Sequence, residues 1–430
     1  MRAAERPGTW LAGVALALGL LWLGARTLGP DRDPWAAPDQ RAAAAAETGA
    51  ARLAALADAA ALHGSPPPAL EPAVAVRLMR FEGDPEVLLG VEGRWRLLDE
   101  DGARLQDGTG LSGSLRADPT GVQVGPILSG RDRVVLAPNG DDALRLADER
   151  FSGALEIGVL REDGAAAGLR LVLHLPLEEY VLGVLCGELP TSLHESDAAM
   201  RAQAVAARTW GLWKLQARKG ALRDTPGDQV FRGTDWHTDA ARRAVAATRG
   251  QVLVWHGELL PAFFHANCAG HTADARTLGF VADSCPPLAG VADRGCRGTS
   301  RPWRATVGAE RLDAAAAALG LGAWLRSLHS LERDPAGRML RTRFLGSDRH
   351  YDGPAEEARL RLRVPSTVWT RALVREDGAL LLEGHGSGHG VGLCQEGAQR
   401  RARAGEDWRA ILAHYYPGAE IRPLTGDLLN

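Results

Sequence analysis

Lysine is nearly absent from this 430-residue chain. Lys214 and Lys219 are the only examples, so almost every cation is an arginine. Beside so much alanine and glycine, that bias reads as a coding preference and not as an arginine recognition surface. The net charge of −3 provides no cationic excess to gather a polyanion, which argues against a nucleic-acid partner. Cysteine is scarce and odd in number: five residues cannot all pair within one chain, and no C-x-x-C occurs. An H-E-x-x-H segment is missing, which disfavours a zinc peptidase. No apolar run reaches the ~20 residues that span a bilayer comfortably. What the chain does have is a globular composition, 45% hydrophobic and 24% charged, with material for a sizeable core.

Arg2 and Arg6 precede an apolar run from Trp10 to Ala25, which Arg26 closes. A basic flank and a short apolar stretch describe a secretory signal or a signal anchor. The exit, Leu23-Gly24-Ala25-Arg26, has no A-x-A cleavage site. The expectation is therefore an uncleaved anchor within residues 1–30, held by residues 10–25. Its positive end would be cytoplasmic and the remainder would lie in the cell envelope, on the exported side of the cytoplasmic membrane. Residues 31–72 are rich in alanine and proline and read as a tether.

From Val74 to about Leu175 the chain alternates apolar and polar residues in short runs broken by glycine and aspartate, as in VAVRLMRF, GALEIGVLRED and LRLVLHL. Period-two alternation with frequent turn signals predicts antiparallel strands, a β-rich part over 73–174. Helical signals follow. Ser196 is a plausible N-cap for a helix ending at Gly220, and Thr238–Arg249, residues 310–330 and Glu396–Tyr416 are also expected to be helical. QVLVWHG and 338–374 read as strands. Mixed antiparallel strands with inserted helices give an α+β class. Arg201 and Arg208 share one face of the long helix, suggesting the lining of a polar cleft.

Two motifs carry chemistry. LPLEEYVLGVLCGELP, Leu175 to Pro190, holds Glu188 in an otherwise apolar segment, bracketed by Gly187 and Pro190 on an expected tight turn. Lost hydration disfavours the charged carboxylate, so its pKa should rise and suit it to general-acid work. EGHGSGHGVGLCQEGA, Glu383 to Ala398, alternates glycine with His385, Ser387 and His389. Its glycine register fits neither a dinucleotide loop nor a P-loop, leaving a backbone that approaches a ligand closely beside two imidazoles. Cys268 and His271 have C-x-x-H spacing, and Cys285 and Cys296 complete a Cys₃His set suited to structural zinc. In an oxidising compartment a Cys285–Cys296 or Cys268–Cys296 disulfide is the alternative.

Taken together, these stretches resemble the stage II sporulation protein D (SpoIID) family of peptidoglycan-cleaving proteins. The resemblance rests on LPLEEYVLGVLCGELP at 175–190, MRAQAVAARTW at 200–210, TRGQVL at 248–253, AFFHANCAGHTADA at 262–275 and GHGSGHGVGLCQEGAQRRARAGEDWRAILAHYYPGAEI at 384–421. It covers roughly 74–425, with 175–425 as the catalytic region. It implies a lytic transglycosylase that acts on cell-wall glycan strands, with Glu188 as the single acid/base and no cofactor required for catalysis. It also implies 1,6-anhydromuramoyl products, with Arg208, Gln229, His385 and His389 as glycan-contacting or positioning residues. Zinc occurs in some members near the segment that is FFHANCAGHT here, with Ala269 where those members have glycine. The rival expectation is a non-catalytic peptidoglycan-binding protein that activates a cell-wall amidase.

Overall fold

The computed structural model describes residues 71–139, 144–194, 196–218, 220–297, 301–322, 324–334 and 337–429. The expected anchor and tether lie outside the described residues. Among those described, no helix is long and apolar enough to cross a membrane. The chain divides into two compact units. One comprises the residues up to Ser192 together with Lys214–Asp239, and the other comprises Leu193–Trp213 together with Ala240 onward.

The alternation read from Val74 to Leu175 is realised in the first unit. Its strands are β1 (Ala73–Arg77), β2 (Glu86–Leu98), β3 (Arg104–Asp118), β4 (Gly121–Val124), β5 (Ile127–Leu128), β6 (Arg133–Pro138), β7 (Leu144–Leu146), β8 (Glu149–Phe151), β9 (Ala154–Glu162) and β10 (Ala165–Pro176). With β11 (Leu222–Arg223) they form an 11-stranded sheet in the order β11-β1-β10-β9-β6-β2-β3-β4-β5, with β7 added on β2 and β8 on β7. All pairings are antiparallel except β1 with β11. In β10 the residues Leu169, Leu171, Leu173 and Leu175 are buried, which is the one-face burial that period two imposes. Each such side chain contributes about 1.5–3 kcal/mol on leaving water.

β10 runs directly into α1 (Leu177–Glu188), which starts after Pro176 with Glu178 and Glu179 in its first turn, where the helix dipole favours negative charge. The expected tight turn around Glu188 is thus corrected: Glu188 is the last residue of a helix. Tyr180, Val181, Val184 and Leu185 are fully buried. A run that is apolar on all sides leaves no period to separate helix from turn, and the chain departs only at Leu189 before Pro190.

α2 (Asp197–Arg218) contributes its part up to Trp213 to the second unit. Ala202, Ala204, Ala206 and Ala207 are completely buried, and such small residues allow close packing. α3 (Asp239–Ala247) leads into β12 (Gln251–Trp255), which pairs antiparallel with β13 (Glu258–Leu259) and with β22 (Glu420–Pro423) near the C-terminus. β14 (Phe264–His265) pairs in parallel with β21 (Leu393–Cys394), and α4 (Arg294–Arg297) is a single turn. Two three-stranded antiparallel sheets follow. One orders β15 (Trp303–Val307), β20 (Leu380–His385) and β19 (Val368–Val374); the other orders β16 (Leu325–Arg333), β17 (Met339–Gly346) and β18 (His350–Pro354).

Between these strands lie α5 (Ala309–Ala318) and α6 (Ala355–Leu362). Leu312, Leu325, Phe344, Leu362, Trp369 and Leu382 belong to their common core. The helix expected over 310–330 therefore stops at Ala318, and 325–333 is strand. Likewise 338–374 is not continuous strand but encloses α6. The C-terminal helical stretch is two helices, α7 (Gln395–Arg403) and α8 (Trp408–Tyr415), interrupted at Gly405, which adopts φ +93. The architecture is α+β.

Candidate active site and thiol cluster

In the first unit, Glu188 meets the segment 228–233. The Val230 N–H donates to Glu188 Oε1 at 2.6 Å. Gly187 permits this approach, because a Cβ there would lie 2.3 Å from the Val230 carbonyl oxygen. One turn earlier, the Gly183 carbonyl accepts the Arg232 N–H at 3.1 Å. The glycines of LGVLCGE thus form a groove on α1 in which the backbone of DQVFRG rides. Burial raises the Glu188 carboxyl from 4.5 to about 7, with the Val230 N–H pulling in the opposite direction.

The same segment is pinned on both sides of Val230. Asp228 accepts from Arg218 Nη1 at 2.9 Å, from Arg223 Nε at 3.1 Å and from the Arg223 backbone N–H at 2.8 Å. The Tyr180 hydroxyl donates to Gln229 Oε1. Phe231 stacks on Tyr180 with ring centroids 6.0 Å apart, and Arg80 Nη2 caps the Phe231 carbonyl at 2.8 Å. Burial holds the Tyr180 hydroxyl well above its ordinary pKa, and the negative charges of Asp228 and Glu188 add to this. Gln229 is itself buried, so it orients the loop that carries Val230.

The remaining sequence candidates lie in the second unit. Arg208 is completely buried, and its Nη1 donates to the Gln251 carbonyl at 3.1 Å and to Ala204 O at 3.5 Å. Its guanidinium ties α2 to β12, and Arg201 pairs with Asp197 at 2.8 Å, so the pair does not line a polar cleft as expected. His385 ends β20 half-buried, and its carbonyl accepts the Ser366 hydroxyl. His389 Nδ1 accepts the Val391 N–H at 3.0 Å, and its ring sits 5.0 Å from Phe280 and 5.7 Å from His265. Burial lowers His389 from 6.5 to about 4 and pushes His265 well below its ordinary value. Both imidazoles are neutral near pH 7.

Two residues beside this cluster are not among the site candidates that the sequence marks. His265 Nδ1 faces the Val391 carbonyl at 3.1 Å, although only its place in an FFHA segment marked it beforehand. Arg338, wholly buried, donates to the Cys268 carbonyl at 3.2 Å. Its guanidinium carbon occupies the space 2.4 Å from where a Gly390 Cβ would stand. The glycine of GHGVG thus makes room for protein and not only for a ligand, and nothing in the sequence near Arg338 signals that.

The cysteines regroup. Cys268 and Cys296 do come together, but their companions are Asp293 and Cys394, with one ligand atom of each residue all within 4.8 Å of one another. His271 and Cys285, expected in the set, are not in it. His271 Nδ1 instead lies 2.6 Å from the Thr272 carbonyl, and Cys285 caps a short 3₁₀ turn over Pro286–Leu288. None of the five cysteines is in a disulfide, so neither expected pairing is formed.

The family model described as Stage II sporulation protein matches residues 165–255, which include α1, all of α2 and Glu188. An uncharacterized protein of Brachyspira hyodysenteriae is 32% identical over 256 residues, covering 58% of this chain and 68% of the relative. The chain belongs to the SpoIID family. The Stage II sporulation protein D of Bacillus amyloliquefaciens is 28% identical over 275 residues, 58% of this chain and 75% of that protein. An Amidase enhancer of Bacillus subtilis is 26% identical over 291 residues, 56% of this chain but only 40% of the relative. Within this SpoIID chain, the family model covers both the acidic end of α1 and the segment that holds it.

Proposed function

We propose that this SpoIID protein is a cell-wall lytic transglycosylase that cleaves peptidoglycan glycan strands with Glu188 as its one acid/base. The observation that carries the reading is a carboxyl group raised to about 7 at the end of a buried helix, with one fixed N–H donor. A bond from Val230 to Oε1 leaves the proton to Oε2. In the first step Oε2–H protonates the departing glycosidic oxygen as the C1–O bond breaks. The muramoyl 6-hydroxyl then attacks C1, and its proton returns to Glu188. The products are a 1,6-anhydromuramoyl end and a free 4-hydroxyl, and no water is consumed. This explains how one carboxylate suffices where an ordinary glycosidase needs two. The reaction as written requires no cofactor. On this reading the protein works on the exported side of the cytoplasmic membrane, held there by residues 10–25.

The Amidase enhancer relative favours a second reading, in which the chain binds peptidoglycan and activates a cell-wall amidase without cutting glycan itself. Incubating the purified full-length protein with isolated glycan strands separates the two. Anhydro-ended fragments, identified by mass spectrometry, should accumulate with wild type and vanish with Glu188→Gln. Intact strands in both samples, with stimulation of an added amidase, would support the second reading.

A further inference from the structure

We propose that Cys268, Asp293, Cys296 and Cys394 form a tetrahedral site for one zinc ion. Four separate segments of the second unit supply the ligands: the turn after β14, the approach to α4, α4 itself and the end of β21. All four residues are buried. Zinc takes about 2.3 Å bonds to sulfur and about 2.0 Å to oxygen, so a tetrahedral site has sulfur–sulfur edges of ~3.8 Å and sulfur–oxygen edges of ~3.5 Å. Cys296 Sγ and Cys394 Sγ are 3.8 Å apart. Cys268 Sγ and Asp293 Oδ2 are 3.5 Å apart. These two pairs share no atom, so they are opposite edges of the same tetrahedron.

The surroundings are built for thiolates. The Cys268 N–H and the Gly397 N–H each point at Cys394 Sγ from 3.3 Å, and the Gly270 N–H points at Cys268 Sγ from 3.3 Å. Cys394 is the N-cap of α7, where the helix dipole favours negative charge. The Tyr415 hydroxyl donates to Asp293 Oδ2 at 2.7 Å and orients the carboxylate. Gly397 leaves room for that arrangement, since a Cβ there would fall 2.0 Å from Asp293 Oδ2. Three buried thiols this close cannot all ionise without a counter-charge, and a dication supplies it. On binding, each of the three thiols releases its proton to solvent, and the Asp293 carboxylate supplies the one oxygen ligand. A thiolate-rich tetrahedral set selects zinc over magnesium or calcium.

The site would fasten the glycine-rich loop to β14 and α4, and it does not depend on the glycan chemistry. Elemental analysis of the purified full-length chain, prepared without chelator, should give about one zinc per chain. Replacing zinc with cobalt(II) should produce the intense near-ultraviolet sulfur-to-metal bands of a thiolate site. Cys394→Ser and Asp293→Asn should weaken retention against a chromophoric chelator by ~100-fold or more. Cys285→Ser and His271→Ala should retain the metal. Wild type without metal, or with a Cys296–Cys394 disulfide in its peptide map, overturns the proposal. So does a metal that Cys285→Ser or His271→Ala releases while Cys394→Ser and Asp293→Asn keep it. The wild-type measurements need no variant to fold.

Discussion

Replacing Gly187 by alanine perturbs the proposed acid without touching its carboxyl group. The new Cβ would stand 2.3 Å from the Val230 carbonyl oxygen, where ordinary contact begins near 3.4 Å, so the two must separate. A shift of about 1 Å at Val230 stretches its N–H bond to Glu188 past the useful hydrogen-bond range. A hydrogen bond to a charged group is worth about 1.5–3 kcal/mol, and one pH unit corresponds to about 1.4 kcal/mol. The bond currently holds the carboxyl down against burial. Losing it should therefore move the Glu188 pKa upward by about 1–2 units. The alkaline limb of kcat/KM for glycan cleavage should follow, because a general acid acts only while protonated. Carbon-13 titration of the Glu188 carboxyl in the same variant reads the shift without relying on activity. The overpacking costs about 1–3 kcal/mol, so a urea melt should confirm that the variant folds. A limb and titration that stay near the wild-type value, or move to lower pH, would refute the reasoning.

Three further outcomes follow from the same geometry. The proton on folded Glu188 stabilises the protein below pH 4.5, and that contribution is lost as pH rises through about 7. Glu188→Gln should therefore gain on wild type in urea melts between those limits, by at most about 3 kcal/mol, and an unchanged difference would contradict the burial argument. Arg208→Lys should cost about 1–3 kcal/mol of stability, because a lysine cannot reproduce the guanidinium's bonds, while KM for glycan stays constant; a KM effect without a stability loss would restore Arg208 as a substrate contact. The His389 ring should show no titration between pH 5 and 8 by nitrogen-15 NMR. Its contribution to stability is full above its ordinary 6.5 and fades as pH falls through about 4, so a midpoint near 6.5 would show the ring to be solvated.

Much of this molecule is legible from its residues where one period dominates. The leucines of β10 alternate strictly, and the strand is where the alternation places it. The long Ala-rich helix was expected to end at Gly220 and ends at Arg218. The apolar residues of α1 surround its axis, so the sequence marks Glu188 by its chemistry but offers no period that tells a helix from a turn. Glycine spacing was informative in the opposite sense: Gly183 and Gly187 mark a groove for another segment of the same unit, which a single window cannot reveal. The thiol cluster shows the limit most clearly. C-x-x-H spacing drew attention to His271, whereas Cys394 reaches Cys268 across 126 residues through the parallel pairing of β14 and β21. Asp293 looks like any other aspartate until the fold places it beside three sulfurs.

In the proposed mechanism Glu188 alone serves both steps and the sugar supplies the nucleophile. Digestion of glycan strands in oxygen-18 water tests this directly. Wild type should release unlabelled 1,6-anhydro ends, and Glu188→Gln should release no new ends. Oxygen-18 at the new reducing ends would mean that water attacks the anomeric carbon and would contradict this mechanism.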